Sequence, residues 1–338
     1  MPRLDGQDPA AVQQAAARLA AGELLAFPTE TVYGLGARAD DDRAVAAIFQ
    51  AKGRPPDHPL IVHVVDEDAA QAFAAQWSPA AQGLAARFWP GPVTVIVPRR
   101  AGVAEAAAGG HASIGLRCPD HPVARALLRA AREHGVRGVA GPSANRFGRV
   151  SPTTAQHVAD EFGPALAVLD GGPCREGIES TIVDCTGEMP VVLRPGTTPR
   201  AQIERALREG AGLGLGVPHA GSARAAGTLA SHYCPSAQVH LASGERLAVD
   251  VEAALAAEAD AEAGRPPEVG VYSRTSLPPR AGLVLRTMPT DPAAVAHELF
   301  AVLRLFDAQG VRHIWVEAPP AGMEWDGVRD RLQRAATR

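Results

Sequence analysis

The stretch Phe27-Pro28-Thr29-Glu30-Thr31-Val32-Tyr33-Gly34-Leu35-Gly36 decides the fold. It continues from a buried strand that the mostly apolar residues 23–27 predict, and it precedes a short helix predicted over residues 41–51. Hydroxyl groups and glycines at the carboxyl end of a strand are where α/β proteins bind small ligands. The stretch is not a P-loop, because no Gly-Lys-Ser/Thr follows it. Taken alone, it could equally be a turn held by local hydrogen bonds.

Helix and strand patterns alternate on both sides of this stretch over the first two hundred residues. Asp8-Pro9 supplies a cap and a first-turn proline for an opening helix, which Gly22 ends. Several strands follow each other without a helix, so a purely parallel sheet is excluded and an α/β domain with a mixed twisted sheet is predicted. The further predicted strands are 60–65, 93–97, 113–117, 138–141, 165–169, 180–184 and 191–194, and the further helices are 79–88, 122–133 and 153–161.

The alternating pattern stops at a segment rich in glycine and alanine, which is typical of a flexible linker. We therefore divide the chain into a catalytic domain (1–208), a linker (209–236) and a smaller carboxyl-terminal domain (237–338). Strands separated by helices predict a parallel α/β arrangement for the last part. Its predicted strands are 238–241, 268–272, 283–286 and 313–317, and its predicted helices are 251–258, 292–308 and 326–336.

Length and composition limit the possible classes of protein. The chain has 338 residues, which at about 100–200 residues per domain indicates two domains. Hydrophobic residues make up 46% and charged residues 21%, which excludes a disordered chain. The net charge of −4 argues against a general nucleic-acid binder. No apolar run approaches the roughly 18 residues of a membrane span, and acids occupy the amino terminus where a signal peptide is apolar. We expect a cytoplasmic protein without a membrane partner.

The four cysteines contain no CxxC pair and no zinc spacing, so free thiols are expected. Two other residue types are more informative, because the chain holds one lysine, Lys52, and one asparagine, Asn145. A GC-rich coding sequence disfavours both residues, and most surface lysines can be replaced by arginine. A lysine that acts as a compact charge, or an amide that uses both its donor and its acceptor, cannot be replaced in this way.

Lys52 and Arg54 flank a glycine just after a predicted helix, and Pro55-Pro56 stiffens the exit of the loop. Two cations on a rigid loop suit a polyphosphate. The alternative is that they compensate the carboxyl end of the helix. Asn145 lies in a second polar loop, Gly141-Pro142-Ser143-Ala144-Asn145.

Four further segments carry polar groups that are suited to binding. Ser151 precedes a helix, and capping alone could account for it. The segments 170–184 and 193–196 combine glycines with hydroxyl and charged side chains. Residues 231–235, Ser-His-Tyr-Cys-Pro, end the linker, where Tyr233 could also simply dock the chain.

Together these segments resemble the threonylcarbamoyl-AMP synthase family (YrdC-like) in its longer two-domain form. Their joint order and spacing carry the resemblance, which is tight in the first domain and loose in the last. It implies a YrdC-like mixed twisted sheet followed by a Rossmann-like carboxyl-terminal domain. The matching pieces are PTETVYGLG (28–36), KGRPPDHPLIVH (52–63), WPGPVTVIV (89–97), GPSAN (141–145), SPT (151–153), GIESTIVD (177–184), LRPG (193–196) and HYCP (232–235).

The resemblance implies that ATP, L-threonine and bicarbonate give threonylcarbamoyl-AMP and pyrophosphate. A downstream tRNA threonylcarbamoyl transferase complex would then modify adenosine 37 of tRNAs that read codons beginning with A. The threonine amine captures CO2, and the carbamate oxygen attacks the α-phosphate in line. Positioning and charge neutralisation dominate such a reaction. Mg2+ is expected with the triphosphate, but no carboxylate cluster identifies its protein ligands.

Site residues are carried over position by position, and the KxR…SxN signature comprises Lys52, Arg54, Ser143 and Asn145. These four are the predicted catalytic residues. Arg117 is the expected clamp for the threonine carboxylate, and Tyr233 is expected to close over the nucleotide as a lid. The predicted threonine pocket is Thr31, His63, Arg117, Gly141 and Ser180. The predicted ATP residues are Lys52, Arg54, His58, Ser113, Ser143, Asn145, Ser151, Arg194 and Tyr233.

Two positions depart from the family pattern. Cys234 occupies the place of alanine in HYAP, and His58 occupies a place that is often asparagine. Three other functions stay open at this point. They are an RNA-binding, translation-associated module on the same fold, a carbamoyltransferase with another acceptor, and a nucleotide sensor that binds ATP without releasing pyrophosphate.

Overall fold

The computed structural model describes residues 3–261 and 269–337, and the chain forms two compact units. The first unit comprises the residues up to Phe147 together with Ser151–Thr228, and the second comprises Gly148–Val150 together with the chain from Leu229 onward. No helix within the described ranges is both long and apolar enough to cross a membrane.

A single mixed sheet of ten strands forms the centre of the first unit. Its order is β1-β8-β2-β3-β7-β4-β6-β5-β9-β10, so neighbouring strands are frequently far apart in sequence. Parallel pairs such as β4 with β6 lie next to antiparallel pairs such as β2 with β3. The strands are β1 (Arg3–Asp5), β2 (Leu25–Phe27), β3 (Gly34–Arg38), β4 (Ile61–His63), β5 (Val93–Pro98), β6 (Ser113–Arg117), β7 (Val139–Ala140), β8 (Ala167–Asp170), β9 (Thr181–Asp184) and β10 (Val191–Arg194).

Capped helices cover this sheet and bury their apolar sides against it. The Asp8 side chain accepts a hydrogen bond from Ala10 N at the start of the first helix, and Asp41 caps the second helix in the same way. Gly53 ends the second helix in the left-handed conformation, at φ 64°, which a glycine adopts without strain. The helices are α1 (Pro9–Ala20), α2 (Asp42–Lys52), α3 (Glu67–Gln71), α4 (Pro79–Phe88), α5 (Pro122–Glu133), α6 (Ala155–Phe162) and α7 (Arg200–Ala211).

The second unit is built on a parallel sheet of four strands in the order β11-β14-β12-β13. Its strands are β11 (Gln238–Ala242), β12 (Val269–Ser273), β13 (Leu283–Thr287) and β14 (His313–Glu317), and its helices are α8 (Gly244–Ala261), α9 (Pro292–Ala308) and α10 (Asp326–Ala336). The mixed sheet of the first unit and the parallel sheet of this one confirm the predicted fold class.

Several elements differ from the sequence-based predictions. The strands β1 and β3 and the helices α3 and α7 were not predicted, and α7 extends three residues into the predicted linker. Helix α8 begins at Gly244, seven residues before its predicted start at Val251. Glu268, the first residue of the predicted strand 268–272, lies outside the described residues.

Candidate active site

A rigid turn leads out of β2 and forms one end of the site. Thr29 Oγ1 accepts hydrogen bonds from Thr31 N and Val32 N, both at 3.2 Å. The same hydroxyl oxygen lies 2.8 Å from Thr31 Oγ1. Glu176 N donates to Glu30 O at 2.7 Å, which ties the turn to the segment 176–184. The turn is therefore held both locally and by a distant part of the chain, and it fixes the Thr31 hydroxyl in place.

Arg117, the last residue of β6, points its guanidinium at this turn. Its Nη1 donates to Thr31 Oγ1 at 2.9 Å, and its Nε donates to Gly91 O at 3.3 Å. Its Nη2 lies 2.7 Å from Glu30 Oε1 in a buried ion pair. The guanidinium is thus held from three sides, and the charge of Glu30 compensates its own charge.

His63, Gly141 and Ser180 complete the predicted threonine pocket around Arg117. His63 pairs with Arg117 across β4 and β6, and burial, reinforced by the Arg117 charge, lowers the pKa of its imidazole to about 3. His63 is therefore neutral near pH 7. A Cβ on Gly141 would lie 3.0 Å from both His63 Nδ1 and Phe27 Cζ, so a glycine is what allows the backbone to pack this closely against His63. Ser180 Oγ lies 2.8 Å from Thr94 Oγ1.

Lys52 forms the opposite end of the site, at the carboxyl end of α2. The side chain is 3% exposed, and its Nζ donates to Ser143 O at 2.6 Å and to Asn145 O. Burial, reinforced by the nearby Arg54 charge, holds the pKa of the Lys52 amine well below its usual value. Phe147 N donates to Lys52 O at 2.8 Å, so the two predicted loops are joined in both directions.

Arg54 and His58 lie beside the same Phe147 ring. The Arg54 guanidinium carbon is 5.7 Å from the ring centroid, and Arg54 Nη2 donates to Pro59 O at 3.0 Å. The His58 ring lies 5.5 Å from that of Phe147, and burial, together with the Arg54 charge, lowers the pKa of His58. The Asn145 side chain is buried, and its Nδ2 donates to Arg146 O at 2.7 Å.

Backbone contacts along β3 connect the two ends. Gly34 forms a bridge with Ser143, and Ala144 N donates to Tyr33 O at 2.8 Å. The turn with Thr31 and the loop held by Lys52 are thereby joined within a few residues. The structure brings together most of the predicted threonine pocket at one end and the KxR…SxN residues at the other.

Ser151 and Arg194 contact other parts of the same region. Ser151 Oγ donates to Glu179 Oε1 at 2.5 Å, so this serine does more than precede a helix. Arg194 donates through Nε and Nη2 to Ser180 O, at 3.2 and 2.8 Å, and through Nη1 to Ala226 O at 3.0 Å. Arg194, a predicted ATP residue, therefore holds Ser180, a residue of the predicted threonine pocket.

Ser113 and Tyr233 are the two remaining residues of the predicted ATP set. Ser113 begins β6, and the four-residue separation from Arg117 spans about 13 Å of strand. Tyr233 belongs to the second unit, where its ring is 1% exposed and stacks on Phe300 with centroids 5.4 Å apart. Arg331 lies 5.2 Å from the Tyr233 centroid. The lid role of Tyr233 stays a prediction.

Sequence reasoning missed three buried polar residues of the site: Glu30, Thr94 and Glu179. Glu30 stands within the quoted stretch 27–36 but received no role, although an acid between two threonines in a loop was a usable signal. Glu179 also received no role, although it stands next to Ser180, a residue of the predicted threonine pocket. Thr94 offered no signal, because a threonine inside an apolar strand is ordinary.

The described residues do not form a metal cage of their own. No group of three or more His, Cys, Asp or Glu side chains within 3–261 and 269–337 is arranged to hold an ion. Two buried carboxylates, those of Glu30 and Glu179, already contact Arg117 and Ser151.

A mixed sheet with a cationic loop at one end of its site and a charge-balanced pocket at the other defines an α/β enzyme domain for small substrates. The family described as "Telomere recombination" matches residues 17–196, and "Threonylcarbamoyl-AMP synthase, C-terminal domain" matches residues 198–337. The threonylcarbamoyl-AMP synthase of Pyrococcus abyssi is 38% identical over 334 residues, covering 96% of this chain and 94% of that protein. That of Bacillus subtilis is 44% identical over 198 residues, covering 58% and 56%.

A solved structure agrees with these matches over both units. The crystal structure of P. abyssi Sua5 complexed with L-threonine has a TM-score of 0.85 and 34% identity, covering 97% of this chain and 95% of that one. This chain belongs to the threonylcarbamoyl-AMP synthase family. The predicted resemblance and the predicted class of enzyme are confirmed, whereas the roles of individual site residues stay predictions.

Proposed function

We propose that the chain joins L-threonine, bicarbonate and ATP into threonylcarbamoyl-AMP with release of pyrophosphate. The observation that carries this proposal is the charge distribution along one site. Arg117 is balanced by Glu30 at one end, and Lys52 bonds to carbonyl oxygens at the other. A zwitterionic amino acid matches the first environment, and a triphosphate matches the second. The P. abyssi structure with bound L-threonine supports the same assignment.

The threonine end would hold the substrate by its carboxylate. Arg117 keeps N–H groups beyond those that Glu30, Thr31 and Gly91 engage, because a guanidinium carries five. Neutral His63 adds no charge that would compete with the ammonium group. The threonine ammonium group would give a proton to bicarbonate, which splits into CO2 and water. The free amine would then bond to the carbon of CO2 and release its second proton to solvent, which leaves a carbamate whose negative oxygen faces the nucleotide.

The phosphate end would neutralise charge as pyrophosphate leaves. A carbamate oxygen attacks the α-phosphorus in line, the bond to the bridging oxygen breaks, and pyrophosphate takes the electron pair. Lys52 and Arg54 are the cations in position for the leaving group, since both lie at the loop that Asn145 closes. The protein contributes positioning and charge stabilisation and forms no covalent bond.

We propose Mg2+ as the companion of the triphosphate, with no protein ligand assigned. Mg2+ commonly binds through substrate phosphates and water with only one or two carboxylates, which suits a site without a carboxylate cluster. We propose further that a tRNA threonylcarbamoyl transferase consumes the adenylate to modify adenosine 37 of tRNAs that read codons beginning with A. The low net charge of −4 supports a synthase that itself needs no strong nucleic-acid binding.

The test is pyrophosphate release with ATP, L-threonine and bicarbonate, omitting each in turn. Release that needs all three, with a product of the mass of threonylcarbamoyl-AMP, is the expected result. ATP binding without release would favour a nucleotide sensor. Release that needs an acceptor other than threonine would favour a carbamoyltransferase. Salt-sensitive binding of RNA would revive the translation-associated alternative.

A further inference from the structure

Glu30 is a buried carboxylate to which the reaction described above gives no role. It is 0% exposed, and its Oε1 lies 2.7 Å from Arg117 Nη2. Neither of its carboxylate oxygens accepts a hydrogen bond from the residues that the structure describes. The charge of Arg117 is therefore what compensates this carboxylate. Burying a carboxylate without hydrogen bonds costs free energy, so its presence here points to a functional role.

The surroundings of Glu30 direct its effect to Arg117. The titratable groups near its carboxylate are Cys118, His121 and Cys174, and burial dominates the pKa of each. Burial raises the pKa of both thiols and lowers that of His121, so all three groups are neutral near pH 7. Arg117 is the positive charge that remains beside the carboxylate.

We propose that Glu30 is the positioning residue of the threonine site. Its carboxylate holds one terminal nitrogen of Arg117, while Thr31 holds the other and Gly91 O holds Nε. The guanidinium is thereby fixed and charge-balanced before substrate arrives, and its remaining N–H groups meet the threonine carboxylate in one orientation. Glu30 itself does not touch the substrate.

This inference rests on the proposed function, and it specifies how the site selects its amino acid. Because Arg117 and Glu30 cancel, the pocket has no net charge from this pair, and His63 is neutral. A free amino acid is also neutral overall, so it enters without leaving an unbalanced charge behind. An amino acid without its carboxylate would enter as a cation and leave Arg117 without a substrate partner.

The first experiment compares Glu30→Gln with Glu176→Gln in the pyrophosphate assay. Glu176 is a matched control, because its half-buried carboxylate stands in the segment that binds the turn and pairs with Arg175 instead. Glu30→Gln is expected to raise the KM for threonine by about tenfold to a hundredfold. The KM for ATP should stay within about twofold, and Glu176→Gln should leave both constants unchanged. An unchanged threonine KM in Glu30→Gln overturns the proposal.

The second experiment asks whether Glu30 acts through Arg117. In the Arg117→Gln background, adding Glu30→Gln should cause no further rise in the threonine KM, because the group being positioned is already gone. Independent, additive effects of the two substitutions overturn the proposal.

The third experiment distinguishes two ways in which Glu30 could act: through Arg117, or by direct contact with the threonine amine. L-Threoninol keeps the amine and the side chain but replaces the carboxylate with a hydroxymethyl group. Because threoninol makes no carboxylate contact with Arg117, its inhibition constant should rise less than the threonine KM does on going from wild type to Glu30→Gln. If Glu30→Gln weakens threoninol as much as threonine, Glu30 binds the amine, and the positioning role is wrong.

Two further points keep the outcomes distinguishable. If Glu30→Gln does not fold, Glu30→Asp takes its place in the test. Aspartate keeps the negative charge but holds it one methylene further from Arg117. It should give a smaller rise in the threonine KM than the one expected for Glu30→Gln, with a smaller change still for threoninol, and equal weakening of both would overturn the proposal. Failure of the proposed function would be visible in the wild type, as pyrophosphate release that does not need threonine.

Discussion

The two ends of the site treat charge in opposite ways, although both are buried and lie in the same unit. At the threonine end, Arg117 is paired with the carboxylate of Glu30 at 2.7 Å. At the phosphate end, Lys52 bonds to the carbonyl oxygens of Ser143 and Asn145. A carbonyl oxygen orients an ammonium group but does not cancel its charge. Under the proposed function, the first end would hold a neutral zwitterion and the second a polyanion.

This difference explains why each cation needs its own residue type. Arginine can hold Glu30, Thr31 and a substrate carboxylate together, because its fork carries five donors. Lysine is a compact charge whose pKa shifts readily on burial, and the pKa of Lys52 is held low. A lysine in place of Arg117 would lose the fork of donors that holds Glu30, Thr31 and Gly91. An arginine in place of Lys52 would put a larger group into a buried loop.

The largest expected effect comes from removing the charge at the phosphate end. Lys52→Met should lower turnover by about 10²–10³-fold, the usual loss when one stabilising group of a transition state is removed. The threonine KM should change little, because Arg117 and Glu30 are untouched. Steady-state pyrophosphate release measures both constants. Arg205→Met, on the exposed face of α7, is the control and should behave as wild type. Equal damage to both constants in Lys52→Met would break the division of the site.

The next largest effect concerns the side chain of the amino acid. L-Serine lacks one methyl group of threonine, which a pocket discriminates by about 1–3 kcal/mol. We expect serine to be used with a kcat/KM lower by about 10–200-fold. Competition between the two amino acids, read by the mass of the adenylate, measures this ratio. Equal rates would mean that the pocket around Thr31, His63 and Ser180 does not contact the methyl group.

Proton uptake should accompany ATP binding at the phosphate end. Burial and Arg54 lower the pKa of Lys52, and the triphosphate would raise it again, so the amine gains protons on binding at a pH above the lowered value. ATP affinity should then fall as the pH rises from that value towards 10.5. Without ligand the sign is opposite, since the unfolded chain binds more protons in this window and stability rises with pH.

Calorimetry in buffers of different ionisation enthalpy measures this uptake directly. Up to about one proton per ATP is expected for wild type, and the contribution should disappear in Lys52→Met. Heats that do not depend on the buffer would show that Lys52 stays fully protonated in the free protein.

The smallest effect is an acid sensitivity of the threonine end. The pKa of buried His63 is lowered to about 3, whereas an unfolded histidine titrates near 6.5. As the pH falls from about 6.5 towards 3, His63 binds a proton in the unfolded chain but stays neutral in the folded protein, so the free energy of unfolding decreases. Between pH 7 and 4.5, the free energy of unfolding of His63→Gln should fall by about 2 kcal/mol less than that of wild type. Thermal melts measure this, with exposed His219→Gln as the control, and identical pH profiles would contradict it.

The sequence predicted the elements that carry their own local signal. Helix α5 was predicted over its full length, because its apolar positions repeat at helical spacing and a first-turn proline marks its start. Strand β3 was missed, because Gly34-Leu35-Gly36 has low strand propensity. It is a strand because it pairs antiparallel with both β2 and β7. Tertiary pairing of this kind cannot be read from a local window.

In the site, too, the features that depend on the folded chain could not be predicted from the sequence. The family resemblance implied that the Lys52 loop and the Asn145 loop act together, and the hydrogen bonds between them agree with that. The sequence could not indicate that Lys52 bonds to backbone carbonyls, because carbonyl orientation depends on the folded loop. The position of Glu30 between two threonines was a usable signal, but its ion pair with Arg117, a residue 87 positions away in the chain, could not be read from the sequence.

The most direct test of the two-ended site is crossed binding by calorimetry. ATP and L-threonine are titrated separately into Lys52→Met and into Arg117→Gln/Glu30→Gln, a double variant that removes both charges of the pair so that neither is left buried alone. We predict that Lys52→Met loses at least about tenfold in ATP affinity and keeps its threonine affinity, while the double variant does the reverse. A variant that weakens both ligands to the same extent would contradict the division of the site into a charge-balanced end and a cationic end.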